Sequence, residues 1–311
     1  MSARLLASPR SAKLKDVSNE AVLKGRPFLL AAGAMPVRRL NLDGGLIMAS
    51  NTRVNAATAR EVCALLADAP FDEVVELCER YSEDPRAQVR RAVGVALRRH
   101  ERVASERDRV IGMYETMAKL GGDGVVIGVD EVGRGALAGP LTVAAVALRP
   151  DSPIWGINDS KQLSPARREA LAAEIADQAI AIGIANIEPE SIDAVGMSAS
   201  LRIAMSRAIE DSGVEPDAVL IDGRPVHVHP LEKTIVKGDA KVACIAAASI
   251  VAKVSRDALM VSYDAEYPEY HLAECKGYGS AEHIAAIRAH GLTPIHRASF
   301  CGNFLETPTL F

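Results

Sequence analysis

Residues 125–135 read VVIGVDEVGRG, and this stretch says most about how the chain folds. A short apolar run leads into the adjacent acidic residues Asp130 and Glu131, and then into a glycine-rich turn. A continuous apolar, β-branched run predicts a strand buried on both faces of a sheet. Ligands of open α/β sheets gather at the carboxyl ends of strands, so we expect a functional site where this strand ends.

The two carboxylates and the turn after them indicate the chemistry of that site. Adjacent buried carboxylates repel each other and lose hydration, so one protonates unless a divalent cation balances the charge. Gly133, Arg134 and Gly135 offer open backbone N–H groups and one guanidinium, which suit a phosphate or a sugar. Because successive side chains on a regular strand face opposite ways, we expect the backbone to depart from ideal geometry near Gly133.

The remaining pattern divides the chain into a helical part and an alternating part. Residues 56–120 carry apolar residues at helical spacing, with Asp84-Pro85 as a predicted helix start, Gly121-Gly122 as the end, and an arginine stripe on the surface. Strands are predicted at 124–130, 141–148, 180–187 and 218–222, and helices at 164–177, 198–212, 242–267 and 280–290. This alternation predicts an α/β fold, in which Asp222 also ends a strand.

Composition limits the class of protein. The chain has 311 residues, 49% hydrophobic and 24% charged, with a net charge of −4 and a pI near 6.0. These values exclude a polycation, so nucleic-acid binding would depend on local basic patches. Five cysteines without C-x-x-C spacing indicate reduced thiols, no disulfide, no zinc and a cytoplasmic protein. No apolar run approaches a membrane span. We expect no membrane association.

Residues 1–47 differ from the rest, with eight Lys/Arg against three Asp/Glu. An arginine-rich, acid-poor start is typical of a transit peptide. A disordered leader, or an extension upstream of a true start at Met48, explains the segment more simply.

Several motifs together resemble the ribonuclease HII family over about residues 125–300. They are DEVGRG (130–135), NDSKQL (158–163), IDG (221–223), KGD (237–239), AASIVAKVSRD (247–257), KGYG (276–279) and HRASF (296–300). The resemblance implies a ribonuclease H-like mixed sheet flanked by helices in residues 123–311, preceded by an all-helical extension in residues 48–122. Some members of the family carry a similar extension, for which a substrate-contacting role is an open alternative to a solvated surface.

The resemblance also implies an activity and a set of site residues. The expected enzyme hydrolyses the RNA strand of RNA/DNA hybrids and cuts 5′ of ribonucleotides embedded in duplex DNA, leaving 3′-hydroxyl and 5′-phosphate ends. We expect a monomer. The candidate catalytic residues are Asp130, Glu131, Asp222 and Asp239. The first three would hold Mn²⁺ or Mg²⁺, in a two-metal site, because hard cations prefer oxygen ligands. Asp257 is a rival fourth carboxylate, although a helix-surface ion pair explains it more simply.

The family pattern assigns substrate contacts to five further residues. Gly133, Arg134 and Gly135 would read the ribose 2′-hydroxyl, which distinguishes RNA from DNA. Tyr278, between two glycines, would stack on the sugar of the next nucleotide, and Lys161 would contact a backbone phosphate. A basic track could continue from Lys161 through the remaining candidates, which are Lys237, Lys241, Lys253 and Arg297.

Two functions from other classes compete with this one. A dinucleotide-binding oxidoreductase would use Gly133-x-Gly135-x-x-Ala138, but that fingerprint must open a helix, whereas Leu141 begins a predicted strand. A non-catalytic nucleic-acid-binding module has no use for clustered carboxylates, which repel a polyanion. His227 and His229 have metal-pair spacing but fit strand or turn positions better.

Overall fold

The computed structural model describes residues 57–305. The predicted leader, residues 1–47, lies outside the described residues, as do residues 48–56 and 306–311. Five strands form one mixed sheet in the order β3-β2-β1-β4-β5. They are β1 (Val126–Val132), β2 (Leu141–Ala147), β3 (Ala181–Ile187), β4 (Ala218–Asp222) and β5 (Glu232–Ile235). The central strand β1 pairs antiparallel with β2 and parallel with β4. The predicted α/β class with a mixed sheet is confirmed.

Ten α-helices accompany the sheet within residues 57–305. They are α1 (Ala59–Asp68), α2 (Val74–Arg80), α3 (Ala87–Gly121), α4 (Pro165–Gln178), α5 (Pro189–Val195), α6 (Met197–Asp211), α7 (Ala243–Glu266), α8 (Leu272–Cys275), α9 (Ala281–His290) and α10 (Ala298–Leu305). Short 3₁₀ helices lie at Ser160–Gln162, Gly238–Ala240 and Pro268–Tyr270. No helix in the described part of the chain is both long and apolar enough to span a lipid bilayer.

Helices cover the two faces of the sheet. The central helix α7 packs on one face with α4 and the second half of α3, while α6 packs on the other. Helix α7 comes unusually close to β1 at Gly128, where a Cβ would overlap the backbone of Cys244. A glycine at this position therefore lets a helix with a small-residue face lie directly on the central strand. Because successive side chains of β1 point to opposite faces of the sheet, Asp130 lies on the face covered by α7 and Glu131 on the face covered by α6.

The helical region is joined to the sheet by one long helix. The 35-residue helix α3 buries Val89 and Val93 near α1 and α2. Farther along, its residues Val110 and Met117 belong to the core between the sheet and α7. One helix thus contributes to both parts, and the division near residue 122 stays a prediction.

The predicted start of α3 was wrong by two residues. Pro85 is not its first residue, because the helix begins at Ala87 with Arg86 as its N-cap. Asp84 accepts hydrogen bonds from the backbone N–H (2.9 Å) and the guanidinium (2.6 Å) of Arg86, so it orders the turn before the helix. The predicted end is confirmed, since Gly122 is the C-cap.

Candidate active site

Asp130 occupies the buried end of the central strand, with 6% of its surface exposed. Its carboxylate accepts a hydrogen bond from the backbone N–H of Glu131 (2.8 Å), and the nearby Ser249 hydroxyl on α7 favours the charged form of Asp130. Burial, followed by the charges of Glu131 and Asp222, raises the pKa of Asp130 well above its ordinary value of 3.8. The fold therefore holds a carboxyl group where ionisation is costly.

Glu131 and Asp222 lie at the same edge of the sheet and line one cleft. Burial and the charge of Asp222 raise the pKa of Glu131, whereas Arg134 opposes this, its Nη1 lying 3.6 Å from the Glu131 carboxylate. Asp222 ends β4 and accepts a hydrogen bond from the backbone N–H of Gly238 (2.6 Å). Adjacent parallel strands thus bring together carboxylates that are 91 positions apart in the chain.

The expected departure of the backbone from ideal strand geometry near Gly133 is confirmed, but it comes after both carboxylates. Pairing with β2 continues regularly through Asp130, Glu131 and Val132, so the two carboxylates do leave opposite faces of β1. Both residues belong to the last three of β1, and the charge of Glu131 acts on Asp130. The backbone turns immediately afterwards, at Gly133, which has φ +86°.

Asp239 and Lys161 lie on the α7 side of the edge. Asp239 is buried in the 3₁₀ turn after β5, and burial and the charges of Asp159 and Asp222 raise its pKa. The pKa of Lys161 is also raised: burial works against this, but Asp159, Asp239 and the two strand-end aspartates outweigh it. Lys161 is therefore a charged neighbour of the carboxylates. Within residues 57–305, however, no three acidic, histidine or cysteine side chains converge closely enough to enclose one metal ion as they stand.

Asp257 forms an ion pair within α7. Its carboxylate accepts a hydrogen bond from the Lys253 ammonium at 2.6 Å, one helical turn away on α7. This pair confirms the simpler explanation of Asp257 as a helix ion pair. It also removes Lys253 from the group of free cations, so Lys253 does not extend a basic track.

The loop after β1 contacts Tyr278 directly. The backbone N–H of Gly133 donates to the Tyr278 hydroxyl at 3.1 Å, and 38% of Tyr278 remains exposed. The side chain of Arg134 is mostly exposed. A Cβ placed at Gly135 would meet nothing within 4 Å, so the space beside it is open. The structure thus brings Gly133, Arg134, Gly135 and Tyr278 together beside the carboxylates.

Two completely buried arginines donate hydrogen bonds to carbonyls of the loop after β1. Arg256 on α7 donates to the carbonyls of Ala138 (2.9 Å), Pro140 (2.9 Å) and Lys276 (2.7 Å), which ties the loop to the Tyr278 segment. Arg297 donates to the carbonyls of Gly139 and Arg134. The prediction that Arg297 continues a phosphate track was wrong, because its guanidinium is inside the protein. Burial and the nearby Arg256 lower its pKa to about 10.

Two buried histidines, His283 and His296, form a hydrogen-bonded pair that contacts the backbone of Tyr278. His283 Nδ1 lies 2.9 Å from the Tyr278 carbonyl, and its Nε2 lies 3.1 Å from Nε2 of His296. His296 Nδ1 accepts from the backbone N–H of Thr293 (3.1 Å), so its proton is on Nε2 and points at His283. Burial and the neighbouring His283 lower the pKa of His296 to about 4. The chain of bonds requires both rings to be neutral.

Sequence reasoning missed the supporting residues of the site. Ser249, Arg256 and His283 were not singled out, although each contacts a candidate catalytic or binding residue. For Ser249 and Arg256 a signal existed, because a polar residue on the buried face of an alanine-rich helix needs a partner. His283 carries no such signal, since its partner is set by tertiary packing.

Fold and site together define a class: a ribonuclease H-like α/β protein with carboxylates at the ends of two adjacent central strands. The family model described as "Ribonuclease HII" matches residues 127–303. Ribonuclease HII of Listeria monocytogenes serotype 4b (strain F2365) is 45% identical over 220 residues, which are 70% of this chain and 84% of that protein. The chain belongs to the ribonuclease HII family, and the resemblance is confirmed.

Solved structures agree with this fold. Ribonuclease H2 from Pyrococcus horikoshii OT3 is 25% identical, with a TM-score of 0.50 over 59% of this chain and all of that chain. Bst-RNase HIII in complex with Mn²⁺ is 19% identical, with a TM-score of 0.50 over 61% of this chain and 71% of that one, which shows the shared fold alone.

Proposed function

We propose that this protein is a metal-dependent endoribonuclease. It hydrolyses the RNA strand of RNA/DNA hybrids and cuts on the 5′ side of ribonucleotides embedded in duplex DNA, leaving 3′-hydroxyl and 5′-phosphate ends. Family membership supports the reaction class. The observation that carries the proposal is the contact between the Gly133 loop and Tyr278, directly beside the strand-end carboxylates. A ribose-reading surface and a reaction site would then share one edge of the sheet.

Asp130, Glu131 and Asp222 would hold Mn²⁺ or Mg²⁺, with Asp239 completing the site. All the donors are carboxylate oxygens, which suit hard divalent cations. The raised pKa of Asp130, Glu131 and Asp239 fits the same assignment, because Arg134 and Lys161 do not outweigh burial and the repulsion among the carboxylates. When bound, two such ions supply Lewis-acid stabilisation of the charge that develops on the phosphate oxygens.

The protein's own side chains would position the nucleic acid. Backbone groups of Gly133 and Gly135 would read the 2′-hydroxyl, and the open space beside Gly135 supports a close approach of the sugar there. Tyr278 is fixed by its bond with Gly133 and exposes part of its ring for stacking on a sugar. Lys161 would neutralise a phosphate without reading sequence. Recognition would thus depend on sugar chemistry rather than on bases.

We also infer that the enzyme acts as a cytoplasmic monomer. All five cysteines are unpaired in the part of the chain that the structure describes, which fits a reducing compartment. The reaction needs only residues of one chain.

The test is cleavage of duplex DNA that contains a single ribonucleotide, with and without Mn²⁺. Wild type should cut 5′ of the ribonucleotide only with the metal. Asp130→Asn and Asp222→Asn should each lower kcat at least about 10³-fold, because several kcal/mol of charge stabilisation are lost at about 1.4 kcal/mol per tenfold. Asp257→Asn is the matched control and its kcat should stay within about threefold of wild type, since Asp257 pairs with Lys253 on α7 and takes no part in the proposed site.

Circular dichroism should show the same fold for all three variants. Metal-dependent cleavage at the wild-type rate by Asp130→Asn or Asp222→Asn would reject these residues. NADH binding without cleavage would instead support a dinucleotide-binding protein, although the loop after β1 leads into an antiparallel strand and not into a helix.

A further inference from the structure

A cleft of about 580 Å³ opens beside the carboxylate edge on the α6 side of the sheet. Glu131, Arg134 and Asp222 form the wall nearest the proposed reaction site. The rest of the lining comes from α6 and from the turn after β4. Four residues of α6 contribute, namely Ser198, Leu201, Arg202 and Met205; the turn contributes Gly223–His227. None of these α6 residues lies in a motif that carries the family resemblance.

The α6 wall has an apolar floor and a cationic rim. Its four residues recur at helical spacing, so they share one face of α6. Leu201 (8% exposed) and Met205 (1% exposed) are packed into the core, whereas Arg202 is exposed. The apolar side chains of Leu201 and Met205 can pack against sugars, while Arg202 can reach a charged group.

The turn after β4 adds a second cation to the lining of the cleft. Arg224 follows the candidate catalytic Asp222 by two residues and is also exposed. Within residues 57–305, neither Arg202 nor Arg224 forms an ion pair, and neither guanidinium donates a hydrogen bond to the protein. By contrast, the third arginine of the cleft, Arg134, lies near Glu131.

The carboxylates in the cleft limit the kind of anion that the unpaired arginines can bind. A small anion would be repelled by Glu131 and Asp222, which line the same cleft. A polyanion anchored at several points can instead place one phosphate at the cationic rim while another part of it lies at the carboxylates. Arginine suits this role, because its planar fork donates two parallel hydrogen bonds to phosphate oxygens.

We propose that Arg202 and Arg224 form a phosphate-binding site for the sugar-phosphate backbone of the nucleic-acid substrate, in the cleft between α6 and the turn after β4. The proposal rests on the proposed function and extends it to residues outside the motifs. The substrate backbone would cross the carboxylate edge with Lys161 on one side and the two arginines on the other. Such contacts position the strand and read no base.

The experiment compares Arg202→Ala and Arg224→Ala with Arg207→Ala. Arg207 is the matched control, because it is exposed on the same helix but does not line the cleft. Steady-state cleavage of duplex DNA containing one ribonucleotide is measured with Mn²⁺ at several KCl concentrations. Each cleft variant should raise KM about tenfold, the loss of one charged hydrogen-bonded contact, and leave kcat within about twofold. The slope of log(kcat/KM) against log[KCl] should become shallower by about 0.9 for each cleft variant. Arg207→Ala should change neither quantity.

Thermal unfolding of each variant separates binding from folding. If an alanine variant loses stability, Arg202→Gln and Arg224→Gln replace it, since glutamine keeps the aliphatic stem and a polar end but not the charge. Cleavage by wild type together with cleft variants whose KM and salt slope equal those of Arg207→Ala would overturn the phosphate site. A loss confined to kcat would overturn it as well. Absence of cleavage by wild type would instead overturn the proposed function.

Discussion

Two neighbouring regions bury charged groups in opposite ways: the carboxylate edge formed by β1 and β4, and the pair Arg256 and Arg297 behind the loop after β1. At the edge, Asp130 is buried with like charges around it, and its pKa is raised. Behind the loop, each guanidinium is buried but donates to main-chain carbonyls at three of its nitrogens. One region leaves its charge uncompensated, and the other satisfies it with hydrogen bonds.

This difference indicates how the two tasks of the enzyme are divided. A site that must bind cations keeps charges for which the folded protein alone provides no partner. A site that must distinguish two similar sugars needs a fixed backbone, and fully bonded arginines provide one. Removing a charge should therefore have opposite consequences for stability in the two regions.

The largest expected effect on stability is at Arg256. Arg256→Ala removes the donor of three carbonyls, two of them in buried hydrogen bonds, so we expect the free energy of unfolding to fall by about 3–5 kcal/mol. Arg256→Lys keeps the charge but cannot reach all three carbonyls, and should lose about half as much. Urea denaturation measures both values. If Arg256→Ala proved as stable as wild type, the loop would not depend on this residue.

The next effect separates substrate contact from folding within the loop itself. Gly135→Ala adds a methyl group where the protein is open, so stability should change by less than about 0.5 kcal/mol. Cleavage at a ribonucleotide should nevertheless fall about 10²-fold, because the methyl group displaces the substrate by about 1 Å. Gly133→Ala, whose Cβ would overlap Arg256 Nε, should lose stability and serves as the contrast. Unchanged kcat/KM in Gly135→Ala would exclude a close approach of the substrate there.

A smaller effect should appear as acid instability of the histidine pair. The pKa of His296 is lowered from 6.5 to about 4 in the folded protein, so its contribution to stability is present above pH 6.5 and is lost as the pH falls through 4. We expect wild type to lose about 2–3 kcal/mol more than His296→Gln between pH 6.5 and 4. Urea titrations at several pH values measure this difference. Parallel curves for the two proteins would show that the pair does not titrate as the geometry requires.

Much of the fold could be predicted from the sequence because its strands carry strong local signals. The apolar runs at β1, β2 and β4 and the capped helices α4 and α9 lie within two residues of their predicted bounds. Strand β5 was missed, since its four residues, EKTI, have no clear strand pattern and owe their conformation to pairing with β4. Helices α5, α8 and α10 were also missed, because they are short and depend on packing.

The site was predicted less completely than the fold. Motif spacing identified the carboxylates at the strand ends, but not their distribution over two faces of β1. All the carbonyl partners of Arg256 and Arg297 except that of Lys276 come from segments more than a hundred residues away, so no local pattern could indicate them. For this reason, Arg297 was wrongly predicted from the sequence to belong to the basic track that continues from Lys161.

The measurement that tests the account most directly is thermal unfolding of wild type and Asp130→Asn at pH 7, in EDTA and in Mn²⁺. The raised pKa of Asp130 means that its stabilising contribution is present below about pH 3.8 and is lost as the pH rises through the raised value, so its ionisation opposes folding. In EDTA, Asp130→Asn should therefore unfold at the same temperature as wild type or higher. Mn²⁺ should raise the Tm of wild type by several degrees and that of Asp130→Asn by much less. An equal Mn²⁺ shift in both proteins, with Asp130→Asn less stable in EDTA, would contradict the account.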